Sequence, residues 1–132
     1  MALPAEGWTE GAAAVANDDA TGKGVVSGAA AAVDTAIDIA KDKGVKRAIP
    51  LPVSAPFHCS LMAPAADVMA AALADVPMTP LTVPVIANVS AAAVTAPPEI
   101  RRLLVEQVTG MVRWRACVLT MRAEERRCGH GW

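Results

Sequence analysis

The stretch Pro50-Leu51-Pro52-Val53-Ser54-Ala55-Pro56-Phe57-His58-Cys59-Ser60-Leu61-Met62 decides how this 132-residue chain is read. Val45 to Val53 reads as a β-strand, although Pro50 and Pro52 lack the N–H a central strand must donate, which restricts it to an edge or an exit. Ser54 to Ser60 then forms a loop. A helix is expected from about Leu61 to Asp75, with Leu61, Ala65, Val68, Met69, Ala72 and Leu73 on one face. Ser60 suits its N-cap, and Pro64 sits near enough to its start to be tolerated. His58 therefore falls between a strand's end and a helix's start, where α/β folds place ligands and catalytic groups. On its own, a lone histidine is more often a satisfied structural residue.

Upstream, residues 1–14 show no clear period, with Gly7 and Gly11 interrupting any helix. Asn17-Asp18-Asp19-Ala20-Thr21-Gly22 has the chemistry of a turn, and a short strand from Gly24 to Ser27 follows. From about Ala30 to Lys43 the pattern is helical. Val33, Ile37 and Ala40 share one face, Asp34, Asp38 and Lys41 another, and Gly44 stands where a C-terminal cap belongs. Downstream, Leu81 to Val89 reads as a further strand, apolar on both sides and so expected to be buried. Pro97-Pro98 opens a third helix carrying Ile100, Leu103, Leu104 and Val108, and Trp114, Val118 and Met121 mark a fourth. Strands alternating with helices predict an α/β fold.

Composition narrows the function. Apolar residues make up 54% of the chain, but many are alanine and aromatics are only 3%, so one domain could form around a core with few large anchors. Twelve basic and 13 acidic residues leave a formal charge of -1, with no basic stripe to neutralise a phosphate backbone; nucleic acid is not an expected partner. Arg122, Arg126 and Arg127 alternate with Glu124 and Glu125 as on a solvated helix face. Three widely spaced cysteines, Cys59, Cys117 and Cys128, fit a reducing compartment rather than a disulfide framework. The first residues acquire Glu6 before any positive charge, unlike a signal peptide, and no apolar run reaches the roughly 18 residues of a membrane span. A cytoplasmic location is expected, without a membrane partner. Cys128-Gly129-His130 offers two ligand residue types where zinc needs three or four, so no metal and no cofactor are expected.

The histidine stretch closely resembles the histidine motif of malonyl-CoA:acyl-carrier-protein transacylases. The resemblance continues in one register over about residues 15–122. Upstream, Val15 to Gly22 with Val25-Val26-Ser27-Gly28 is similar to the family's Asn-rich turn and strand, and so is the helix ending Lys43-Gly44-Val45-Lys46-Arg47-Ala48. Downstream, Pro84-Val85-Ile86-Ala87-Asn88-Val89, Glu99 to Val108 and Val112-Arg113-Trp114 are similar too. Asp19 stands where the family usually has a second Asn, and Lys23 where it usually has Gln.

The resemblance implies the C-terminal half of such an enzyme: part of an α/β-hydrolase-like acyltransferase core plus part of a ferredoxin-like small subdomain. Residues 1–52 would belong to the small subdomain, 53–124 to the core with the histidine loop, and 125–132 to a divergent tail. It implies transfer of malonyl from malonyl-CoA, through a serine in a Gly-His-Ser-x-Gly elbow, to the phosphopantetheine thiol of holo-acyl carrier protein in fatty acid biosynthesis. His58 would be the base that activates that serine. Gln107 would orient it through a backbone carbonyl, the role an aspartate plays in other triads. Asn17, Ser54 and Phe57 would line the substrate pocket; an aromatic at position 57 accompanies malonyl in related polyketide acyltransferases. No Gly-x-Ser-x-Gly occurs in the chain, whose four serines are Ser27, Ser54, Ser60 and Ser90. Ser54 and Ser60 lie too close along the chain to serve His58 well. The expected outcome is a chain inactive and poorly stable alone. The alternatives are a non-catalytic remnant that binds carrier protein and a fragment of a polyketide synthase acyltransferase domain.

Overall fold

The structure is a computed structural model that describes residues 13–128, with side chains to residue 125. Two hairpins and four helices make up these residues. β1 (Ala13–Ala20) pairs antiparallel with β2 (Lys23–Gly28), and α1 (Ala30–Asp42) follows. After a long segment without regular structure and a 3-10 turn at Ser60–Met62 comes α2 (Ala63–Ala74). β3 (Val85–Ala87) and β4 (Ala92–Val94) form the second antiparallel pair, leading into α3 (Pro97–Thr109) and α4 (Trp114–Cys128).

Several expectations need correcting. Asn17 to Ala20 is strand, not turn; only Thr21 and Gly22 turn the chain, with Gly22 at a φ of 81°. The register slips between Val15 and Asn17 and again between Asp18 and Ala20. Each slip breaks the period-2 alternation by which a strand is recognised. Val45 to Val53 forms no strand: it bends at Lys46, among the described residues no strand pairs with it, and its prolines supply no N–H. Ile49, Leu51 and Val53 are each at least half exposed. The strand expected over Leu81 to Val89 shortens to three residues and is not buried, with Val85 48% exposed. Its partner β4 carries no sequence signal beyond Ala92, Ala93 and Val94. Ser60 does not cap α2; Met62 holds the N-cap position without a side-chain bond, because a 3-10 turn intervenes.

The helices follow the sequence more closely. α1 ends in a Schellman arrangement: Val45 N–H donates to Ala40 O at 2.9 Å, Gly44 N–H to Lys41 O at 2.9 Å, and Gly44 takes a φ of 78°. Pro98 and Pro64 occupy first-turn positions, where a missing N–H costs nothing. α2 packs on α3. Arg101 of α3 donates to Ala74 O at 2.8 Å and Val76 O at 2.9 Å, satisfying carbonyls at the end of α2. Arg102 pairs with Glu99 and Glu106 along α3's exposed side.

The core is small. Among the described residues only Ala16, Ala40, Cys59, Val94, Leu103 and Cys117 are buried apolar side chains. Large apolar residues such as Val68 and Val83 stand 70% and 72% exposed. Burial of this extent supplies little of the hydrophobic driving force a domain needs against its chain entropy.

Candidate active site

Three segments converge on His58. The histidine itself sits in the turn between that irregular segment and the 3-10 turn, half-buried, with a φ of 59°. Left-handed backbone is unfavourable for any residue with a Cβ, and strain of this kind gathers at functional positions. Cys59, next in the chain, is buried and donates its S–H to Pro56 O at 3.1 Å, which closes the turn that presents His58.

The imidazole reaches the C-terminal end of α3. Nδ1 lies 3.0 Å from Gln107 O and 3.2 Å from Gly110 O. Carbonyl oxygens only accept, so Nδ1 carries a proton, and in the neutral imidazole Nε2 is the nitrogen with the lone pair. These two carbonyls are at or beside the last turn of a helix, where intrahelical donors run out and the helix's partial negative charge gathers. Gln107 and His58, 49 residues apart in sequence, are thus brought together, with the backbone of Gln107 making the contact.

The segment after α3 also binds β1. Asp18 N–H donates to Val112 O at 2.8 Å and Val112 N–H to Ala16 O at 2.7 Å, making an isolated parallel bridge between Asn17 and Val112. Asn17 is therefore two residues from Gly110 across that bridge, and its side-chain amide donates to Asp19 Oδ1 at 3.3 Å. Arg115 of α4 clasps Asp18 through Nε at 3.1 and 3.2 Å and Nη2 at 2.7 Å. That hydrogen-bonded guanidinium, more than its charge alone, holds the Asp18 carboxyl below the usual carboxylate range, and the Arg115 pKa rises in turn. Ser54 is exposed in the bend ahead of His58, and Phe57 is 49% exposed beside it.

Sequence reasoning missed Gly110, Val112 and the Asp18–Arg115 clasp. Gly110 carries a signal, since a glycine after a helix usually marks a cap; its φ of -85° shows that its task here is different. The clasp joins residues 97 positions apart, and nothing local announces it.

A cleft of about 190 Å³ opens between β3, β4 and α3, lined by Val85, Ile86, Asn88, Val94, Leu103 and Gln107 among others. It is smaller than the roughly 300 Å³ at which small-molecule pockets begin. Among the described residues no group of three or more His, Cys, Asp or Glu could hold a metal ion. No helix among them is long and apolar enough to cross a membrane.

Comparison with known proteins gives a consistent answer, although no family model matches the chain. The malonyl CoA-acyl carrier protein transacylase of Haemophilus influenzae is 43% identical over 105 residues, 80% of this chain and 34% of that protein. Among solved structures, the acyl-carrier-protein S-malonyltransferase of Bartonella henselae is 51% identical with a TM-score of 0.80, over 84% of this chain and 35% of that one. A malonyl-transacylase in complex with a holo type II polyketide synthase acyl-carrier protein is 35% identical, with a TM-score of 0.80, over 96% and 39% of the two chains. The chain spans about a third of the length of the curated relatives it matches. The mixed helix–strand fold is that of part of an acyl-carrier-protein malonyltransferase. By sequence and by fold, this chain belongs to the malonyl-CoA:acyl-carrier-protein transacylase family, as a segment about one-third the length of its relatives.

Proposed function

We propose that the chain carries the general base of a malonyl transfer from malonyl-CoA to the phosphopantetheine thiol of holo-acyl carrier protein, with His58 as that base. One observation carries the reading: Nδ1 is tied to two carbonyl oxygens, which leaves the Nε2 lone pair available. Nε2 takes the proton of a serine hydroxyl as its oxygen attacks the malonyl thioester carbon. The coenzyme A thiolate leaves and recovers that proton from Nε2. In the second half, Nε2 takes the proton of the carrier thiol, the sulfur attacks the malonyl-serine ester, and the serine oxygen leaves with the proton. The imidazolium formed in each half faces the negative end of α3, so carbonyl dipoles do the work of a carboxylate.

The serine must come from outside these 132 residues, since no Gly-x-Ser-x-Gly occurs in them. The chain by itself is therefore inactive. Asn17, Ser54 and Phe57 contribute to the pocket mouth: Asn17 lies across the Val112 bridge from the histidine's anchor, and Phe57 presents an exposed aromatic ring next to it. Residues up to 52 belong to the smaller subdomain and 53–124 to the acyltransferase core, with Asp18–Arg115 bridging the two. Fatty acid synthesis in the cytoplasm is the setting we infer; the relatives' names support an acyl carrier protein as the acceptor, and the complex with a polyketide carrier protein favours such a carrier as the second candidate.

A graft tests this reading. The matching third of the Haemophilus transacylase is replaced by residues 15–122, and malonyl-acyl carrier protein is followed by intact mass. The reading expects transfer by the graft, and neither adduct nor transfer by the 132-residue chain alone. A folded but inactive graft contradicts the function; a malonyl adduct on the isolated chain contradicts the missing nucleophile.

A further inference from the structure

We propose that Gly110 is a positioning residue for His58: its carbonyl is a second acceptor for Nδ1–H, and only a residue without a Cβ can place it there. The proposal rests on reading His58 as the base, but its test does not depend on turnover. His58 Nδ1 is 3.0 Å from Gln107 O and 3.2 Å from Gly110 O, so one N–H is shared between two carbonyls, a pattern common at helix ends. Two acceptors restrict rotation of the ring about its χ angles more than one does, and both favour the same tautomer.

The need for glycine is steric. At a φ of -85° any residue could adopt this backbone. A Cβ at position 110, however, would lie 2.7 Å from Val89 Cγ2 and 2.9 Å from Glu106 O. Neither neighbour yields freely. Glu106 O accepts the Gly110 N–H itself at 2.9 Å, so moving it away breaks the bond that ends α3. Val89 belongs to the tight connection between β3 and β4, held by Ala91 N–H to Ala87 O at 2.7 Å. Beyond Gly110 the chain is held again, by Val112's two bonds to β1. An alanine must therefore displace the 110 backbone, and with it the carbonyl that reaches His58.

The test uses the full chain labelled with ¹⁵N-histidine and ¹³C-carbonyl glycine. Long-range ¹H–¹⁵N spectra of His58 report which ring nitrogen carries the proton. The unsubstituted chain is expected to show Nδ1 protonated. Gly110→Ala is expected to lower the Nδ1–H to Nε2–H ratio about two- to tenfold, the equivalent of one ordinary hydrogen bond. An unchanged ratio in a folded variant overturns the proposal, as does a bare Nδ1 in the unsubstituted chain. Should Gly110→Ala fail to fold, His58→Ala decides: the Gly110 carbonyl carbon must shift when the imidazole is removed, and a resonance that stays in place overturns the assignment.

Discussion

Replacing His58 separates the strain of the site from its hydrogen bonds. At a φ of 59° a residue with a Cβ bears about 1–2 kcal/mol that glycine does not. Glycine in turn gives up about 0.4–1 kcal/mol to alanine through its freer unfolded chain. Both His58→Ala and His58→Gly lose the same bonds to Gln107 O and Gly110 O, each worth about 0.5–1.5 kcal/mol. The difference between the two variants is then the strain less the unfolded-state term. Taking the middle of each range, His58→Gly should be more stable than His58→Ala by about 0.8 kcal/mol, the reverse of their usual order. For a chain of this size that is on the order of 2–5 °C in Tm. Matched thermal and urea unfolding followed by circular dichroism would measure it. An alanine variant as stable as the glycine variant, or more so, would refute the claim that this turn stores strain to present the imidazole.

Other consequences are open to equally direct measurement. Leu103 is among the few large side chains buried in the described residues, so Leu103→Ala should cost about 2–5 kcal/mol, toward the lower end because the cleft beside it already opens to solvent; a change below about 1 kcal/mol in urea titration would show that α3 is not anchored there. Because Arg115 depresses the Asp18 pKa, the clasp's contribution is fully present above the ordinary aspartate range and is lost as pH falls through the depressed value. Asp18→Asn should flatten that acid limb of the stability–pH curve, and an unaltered limb would count against the clasp. Burial raises the Cys117 thiol above its ordinary value, so in the native chain it should alkylate far more slowly than in urea. Equal rates by peptide mapping would contradict its placement against Ala87 and Asn88.

How far this was legible in the sequence differs by element. Helices α1, α3 and α4 were readable because their apolar spacing and terminal Gly44, Pro97 and Pro98 are local signals. Of the strands, β2 was readable, Gly24 to Ser27 falling within Lys23–Gly28; the others were not, for physical reasons that differ at each. β1 hides behind Asn17, Asp18 and Asp19 and two register slips, and its polar residues are explained only by Val112 and Arg115, far along the chain. Val45 to Val53 has strand composition but no neighbour to pair with among the described residues, and pairing is not a property a strand's own residues encode. Burial was overestimated at Leu81 to Val89 for the same reason: apolar residues point to a partner surface, which the described residues do not supply. At the site, spacing alone left His58 ambiguous. Its link to Gln107 came from the resemblance, whereas Gly110 needed coordinates, because a glycine's carbonyl leaves no trace in composition.

The central claim is that His58 Nε2 is the base, and the rate of serine malonylation in the graft tests it most directly. Rapid-quench mass measurement of the malonyl-enzyme, with His58 and with His58→Ala, separates this step from transfer to the carrier. Acylation should run about 10²–10⁴-fold slower without the imidazole, at unchanged folding of the graft. Equal acylation rates in the two would contradict it, leaving His58 a structural cap on the end of α3.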